Sequence, residues 1–258
     1  MHQPYKPPAS ARALDLWSPF LKVKWAKNHI DNLGNARIKF LGNNRYLGVP
    51  KYNVETNRTQ YIVGTVPEIT PEIRLLVGDI AHNLRTALDH LACELCHSVG
   101  IAEPKVYFPI CESREIYEAE SGRKTQGMPK EAKDFIDTLC PYGGDGAGGD
   151  YLFGLHELDR FDKHRLILTV TMRVGSYSMT LSPQGAWFNI PMLPVLKPGD
   201  VIGEIEGNCE SDKQMSVTAD IAFGEPQVFK GEPLFPTLPI LADHIERIIA
   251  LFGPNPAK

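Results

Sequence analysis

Arg85 and His90, set five positions apart in TPEIRLLVGDIAHNLRTALDHLACELCHSVG (70–100), are the side chains of this sequence best suited to joint chemistry. A guanidinium offers five donors in one plane and matches a phosphate, while an imidazole titrates near neutrality and can carry a proton in either direction. Wound as a helix at about 100° per residue, the segment brings His82, Arg85, Thr86, Asp89 and His90 onto roughly 140° of arc. An ordinary solvated face would be mostly Lys, Glu and Gln. Two imidazoles, a guanidinium and a carboxylate within two turns suggest a site.

A second cluster follows in LHELDRFDKHR (155–165). Lys163, His164 and Arg165 are three successive groups suited to phosphate contact, at the point where the helical pattern ends. Asp162 falls on an otherwise apolar arc, and a buried carboxylate needs a partner, so it is expected either to cap the chain end or to form an ion network with Arg165 or Arg85. Two other uses of these residues remain open. They can form a structural network within a non-enzymatic binding protein, Arg85 and Asp89 being an i,i+4 pair of small individual value. Alternatively His82, Asp89, His90, His156, Asp159 and His164, from two helices, can hold the metal of a hydrolase.

The elements that position these groups are legible from periodicity. Thr70 and Pro71 start the central helix, and Gly100 ends it; Val77, Ile80, Leu84, Ala87, Leu88, Leu91 and Leu95 form its core stripe. Gly78 inside that helix costs about 1 kcal/mol against Ala and points to another backbone packed close by. Ahead of it, a cationic helix is predicted from Ser18 to about Leu41, with Leu21, Trp25, Ile30, Leu33 and Phe40 or Leu41 as its apolar side. A hairpin follows over Tyr46–Val63, turning at Asn53–Asn57. Beyond Gly100 come an extended stretch, EPKVYFPIC, a short helix over Arg114–Ser121 and another from Pro129. YGGDGAGGD (142–150) lacks the Gly-Lys-Ser/Thr of a phosphate loop and reads as a connector, with Asp150 capping the next helix. From Leu166 the period falls to two, giving about five short antiparallel strands, and a helix over Pro239–Phe252 closes the chain.

The expected fold class is therefore α+β: an N-terminal helical bundle, an antiparallel sheet of about five strands, and a C-terminal helix. The expected division is 1–164, helical with a small hairpin, and 165–258, sheet plus terminal helix, with one continuous domain as the alternative.

Composition excludes some classes. The 258 residues have a net charge of −4 and an ordinary charged fraction of 22%, which argues against global disorder. Charge is uneven: ten Lys or Arg against three Asp or Glu fall in residues 1–60, suiting a phosphate-bearing partner. No signal-like or membrane-spanning run is present, so a cytoplasmic protein is expected, with no membrane partner. Five cysteines fit free thiols. CELCH (93–97) matches haem attachment only formally, because it lies within a helix, and haem is not expected.

GDIAHNLRTALDHLA (78–92) together with LHELDRFDKHR (155–165) resembles a widespread group of bacterial proteins that carry both segments and have no established activity. Arg85 with His90 also resembles the Arg-x4-6-His element of HEPN ribonucleases, carried on a helix of a four- or five-helix bundle. That resemblance implies a metal-independent RNA endonuclease of toxin or defence type, acting as a homodimer on RNA without a cofactor. It implies His90 working as general acid or base on the ribose 2′-hydroxyl, Arg85 holding the scissile phosphate, Asp89 and His82 orienting them, and Lys163, His164 and Arg165 as substrate contacts.

Overall fold

The computed structural model describes residues 3–43, 46–144, 148–164, 170–179, 197–208, 215–224 and 229–256. They form six helices and five strands: α1 Trp17–Asn43, β1 Tyr46–Asn53, β2 Arg58–Val63, α2 Pro71–His97, α3 Arg114–Lys124, α4 Lys130–Asp137, α5 Gly148–His164, β3 Val170–Met179, β4 Val201–Glu206, β5 Met215–Phe223 and α6 Leu234–Ala250. The class is mixed α+β, with helices at both ends of the order. Among the described residues no helix is long and apolar enough to cross a membrane.

Two compact units divide the chain, and the division does not fall at residue 165. One unit comprises residues 1–33, 75–168 and 235–258; the other comprises 34–74 and 169–234. The hairpin groups with the later strands because its edges supply their pairing partners: β2 pairs antiparallel with β4 over Arg58–Ile62, and β1 meets β5 at Tyr46 and Leu47. The pairings run in the order β3-β5-β1-β2-β4. Only three of these strands come from the region where about five were expected. The two expected over 165–183 are one strand in their described part, because Gly175 lies at a register shift within the β3–β5 pairing instead of at a turn. The expected GAWFNI strand (185–190) lies outside the described residues.

In the sheet unit, Thr59, Tyr61 and Val63 alternate inward along β2 and are buried with Ile202, Ile205, Ile221 and Phe223. Period-two patterning holds along β2, whereas Ile221, Ala222 and Phe223 at the end of β5 are buried in succession.

The helical unit is organised by α2. Val77, Ile80, Leu84, Ala87, Leu88, Leu91 and Leu95 have no exposed surface, as the sequence stripe predicts. Leu152, Leu155 and Leu158 of α5, and Leu241, Ile245 and Ile249 of α6, are buried in the same unit. Residues 3–16 are tied to α2 by Arg12, which donates to Glu94 Oε1 at 2.7 Å, and by the Asp15 N–H on the same oxygen at 2.7 Å.

The apolar side of α1 differs from expectation. Phe20, Val23, Ala26, Ile30 and Leu33 are buried, whereas Trp17, Leu21 and Trp25 are 56%, 42% and 54% exposed. Ile30, Leu33 and Phe40 are buried as the predicted stripe requires, and the departure is confined to the first half of the helix, where Phe20, Val23 and Ala26 take the inward positions expected of Leu21 and Trp25. Asp15, whose carboxylate accepts from the Trp17 N–H at 3.0 Å, starts the helix before Ser18. Likewise α5 begins ahead of Asp150: a Cβ at Gly149 would lie 2.2 Å from the Tyr142 carbonyl oxygen and 2.5 Å from that of Cys140. The glycines of the expected connector are therefore partly demanded by close packing at the start of a helix.

Candidate functional site

Inside the helical unit the two motif segments lie against each other. Gly78 permits it: a Cβ there would stand 2.2 Å from Asp162 Oδ1, so α2 and α5 approach at that point only because α2 has no side chain. The backbone neighbour expected at Gly78 is in fact the Asp162 carboxylate. Burial, then Asp79 and Asp159, push that carboxyl above the usual aspartate range, with His82 and Lys163 acting the other way. One turn further along, His82 Nδ1 lies 3.0 Å from Asp159 Oδ1, and Lys163 Nζ donates to Asp159 Oδ2 at 2.5 Å. Asp159 is buried and doubly paired, while His82 and Lys163 remain exposed at their outer ends.

Arg85 is the centre of a different arrangement. It is 5% exposed; one terminal nitrogen donates to Asp89 Oδ1 at 2.5 Å and the other to the Phe108 carbonyl at 3.0 Å. Asp89 Oδ1 also accepts the Phe108 N–H at 2.9 Å. The i,i+4 pair thus grips both polar groups of one peptide residue in the extended segment after α2, satisfying buried backbone groups that no sheet would otherwise pair. The expected ion pair between Asp162 and Arg85 does not form, since Arg85 is taken by Asp89 and Phe108.

His90 turns to another neighbour. Its Nδ1 is 2.7 Å from Ser18 Oγ of α1, and burial, with Lys22 second, holds the ring below the usual imidazole range against the opposing pull of Asp89. Lys22 itself reaches Asn83 Oδ1 at 3.3 Å. Five positions on a helix put His90 about 140° round from Arg85, which explains why they serve different contacts. The structure therefore unites Arg85 with Asp89, and His82 with Asp159 and Lys163, but keeps His90 apart from both. His164 ends α5 without a described side chain, and Arg165 lies outside the described residues. Among the described residues no three His, Cys, Asp or Glu side chains gather in a way that could hold a metal ion.

Two participants had no sequence signal: the Phe108 backbone, because a peptide group carries no residue-type information, and Ser18, read only as a helix cap. A third, His156, was noticed only as one member of the metal set. It lies one turn before Asp159 on α5 and within reach of Arg85's charge; burial first, then Arg85 and Lys124, lower its ring to about 4. Its Nδ1 is buried with no hydrogen-bond partner.

The fold and site together define a mixed α+β chain in which a polar helix face is largely consumed by internal pairing. No protein-family model matches the chain, and no match is found among curated proteins or solved structures.

Proposed function

We propose that this chain acts by binding, with the paired segments 78–92 and 155–165 forming its internal frame. The observation that supports this most is Arg85: a guanidinium 5% exposed, with Asp89 and the Phe108 carbonyl on its two terminal nitrogens, has no open fork to offer a scissile phosphate. In this reading Arg85, Asp89, Asp159 and Asp162 are structural. His82 and Lys163 are the outer ends of the frame, where solvent or a partner meets it.

The second reading is the HEPN-like, metal-independent endoribonuclease with RNA as substrate and a homodimer as its assembly. It draws on His90, whose imidazole is kept neutral beside the Lys22 ammonium and is half-buried in place of sealed. It would also give Trp17, Leu21 and Trp25, an i,i+4,i+8 apolar row on α1, a second copy to cover. In this reading Lys22, not Arg85, is the cation at the phosphate.

Purified protein incubated with RNA in EDTA separates the two. Binding without turnover is expected from the wild type, and His90→Ala is expected to change neither. RNA cleavage lost in His90→Ala at an unchanged melting temperature would reject the binding reading in favour of the nuclease.

A further inference from the structure

The first turns of α1 point a row of large apolar side chains outward. Trp17, Leu21 and Trp25 repeat at i, i+4 and i+8, all three are exposed, and at about 100° per residue they span about 80° of arc. A single exposed apolar residue is ordinary, whereas two indoles in line with a leucine are the kind of group that carries binding energy in protein interfaces. Both borders of the row are cationic: Lys24 falls about 20° outside Trp17, and Lys22 about 60° beyond Trp25. We propose that this row docks an amphipathic helix of another protein, one whose apolar stripe is bordered by carboxylates. The proposal rests on the binding reading above and deepens it by naming a partner class.

Charge decides the occupant. Lys27, on another side of α1, is the contrast: its ammonium meets Asp243 at 2.7 Å and Glu246 at 2.6 Å, both on α6. Lys22 and Lys24 have no such match. Lys22 reaches only the neutral Asn83 Oδ1, at 3.3 Å, and among the described residues no carboxylate lies within ion-pair distance of either lysine. From Trp17 to Ala26 the helix holds no acidic residue; Asp15, before it, accepts from the Trp17 N–H at 3.0 Å, and Asp31 lies more than a turn past Trp25. Unmatched ammoniums on both borders of an apolar row are complementary to an anionic partner.

The shape of the row selects a helix. It is one side chain wide and, at 1.5 Å rise per residue, about 12 Å long. Asn28 and Asn32 continue the same side, exposed and polar, and limit its extent. A helix laid along it, with apolar residues at i, i+3, i+4 and i+7 between borders of glutamate, covers the indoles and brings a carboxylate to each lysine. A second copy of α1 fits less well. The spacing of Trp17, Leu21 and Trp25 is symmetric about Leu21, so a two-fold antiparallel pair would align the apolar rows, but it would also set two Lys24 ammoniums on one seam with no carboxylate from residues 17–26 to separate them. A lipid surface favours a broad apolar face with many cations, and this row is narrow and has one lysine on each border.

The probe is a fluorescein-labelled helical peptide with leucines at i, i+3, i+4 and i+7 and glutamates on both borders; its lysine-bordered counterpart is the control, and anisotropy with the full chain is the readout. The glutamate peptide is expected to bind at least about tenfold more tightly than the lysine peptide, with an affinity that falls as salt rises. Leu21→Asp is expected to weaken it about tenfold or more. Lys24→Glu, at an exposed position that no contact of the fold uses, is expected to remove the preference for the glutamate peptide. Equal binding of the two peptides, no binding of either, or an undiminished preference in Lys24→Glu overturns the proposal and leaves the binding reading standing. A dimer in sedimentation that Leu21→Asp dissociates, or vesicles of phosphatidylcholine and phosphatidylserine that bind through Leu21 while the peptides do not, overturns it in favour of another occupant. RNA cleavage dependent on His90, with the peptide preference intact, overturns the binding reading alone.

Discussion

Arg85 and His156 lie close enough for one's charge to act on the other, yet their polar atoms have opposite fates. Both terminal nitrogens of Arg85 are matched, one to a carboxylate and one to a carbonyl, and Asp89 closes the loop through the Phe108 N–H. His156 has one sealed nitrogen, Nδ1, without a hydrogen-bond partner among the described residues. A buried polar group that is fully matched works for the fold; one left unmatched costs stability and is retained where something else completes it. In the binding reading the arginine is a brace, and the histidine keeps one buried nitrogen unpaired.

The largest test of that contrast is Arg85→Ala. Removing the guanidinium leaves Asp89 partly buried without its cation and the Phe108 carbonyl without a donor, which is expected to cost about 3 to 5 kcal/mol in chemical denaturation. Arg85→Lys is expected to recover little, because one ammonium cannot span both acceptors. A loss below about 1 kcal/mol in Arg85→Ala would show that the grip on residue 108 is not what holds this region, and would return Arg85 to the candidates for ligand contact.

His156 provides the next effect, through pH. Its ring is lowered from 6.5 to about 4 in the folded chain, so the unfolded chain binds the proton more tightly. The neutral ring's contribution is therefore complete above pH 6.5 and is lost as pH falls through about 4, a change of up to about 3 kcal/mol. Stability measured across that window is expected to fall less steeply in His156→Gln than in the wild type. Identical slopes would mean that burial, Arg85 and Lys124 do not hold the ring neutral.

How far the sequence foretold this follows from which forces leave a pattern in it. The α2 core stripe was legible because helical burial repeats every 3.6 residues, and the hairpin because Tyr46–Asn53 and Arg58–Val63 flank a turn-rich gap. The stripe of α1 was legible from Ile30 onward but not before it, since Leu21 and Trp25 are large and apolar but exposed, and single-residue hydrophobicity carries no direction. For the candidate site, Gly78 correctly announced a close neighbour. The sequence could not say that the neighbour was Asp162, because a separation of 84 positions leaves no local trace of a tertiary contact. The same applies to Phe108: a backbone carbonyl looks alike at every residue.

Gly78 supplies a sharper, smaller test, in which the sign of the effect depends on α5. In the wild type, Gly78→Ala gains about 1 kcal/mol in helix propensity but drives a methyl into Asp162, whose carboxylate must rotate away from a crowded site. A net loss of about 1 kcal/mol is expected. In an Asp162→Ala background the obstruction is gone, and the same Gly78→Ala is expected to stabilise by about 1 kcal/mol. A double-mutant cycle reads the difference directly, and additivity would mean that the two segments do not meet at this point.

His90→Ala should have the smallest effect and bears most directly on function. Its one described hydrogen bond, to Ser18 at 2.7 Å, joins a half-buried ring to a hydroxyl that water can partly satisfy, so the loss is expected to be about 1 kcal/mol in denaturation. Ser18→Ala is expected to cost a similar amount, and the double variant little more than either, because both remove the same bond. The neutral ring beside Lys22 adds a pH signature: burial and Lys22 lower the pKa, so His90 contributes stability above its unfolded value that fades as pH falls through the folded one. A frame residue should show that modest acid-side loss and nothing more. If His90→Ala leaves stability across pH unchanged while abolishing a measurable turnover of RNA, the contrast drawn here between matched and unmatched groups would have to be redrawn around α1, with His90 and Lys22 as the reactive pair.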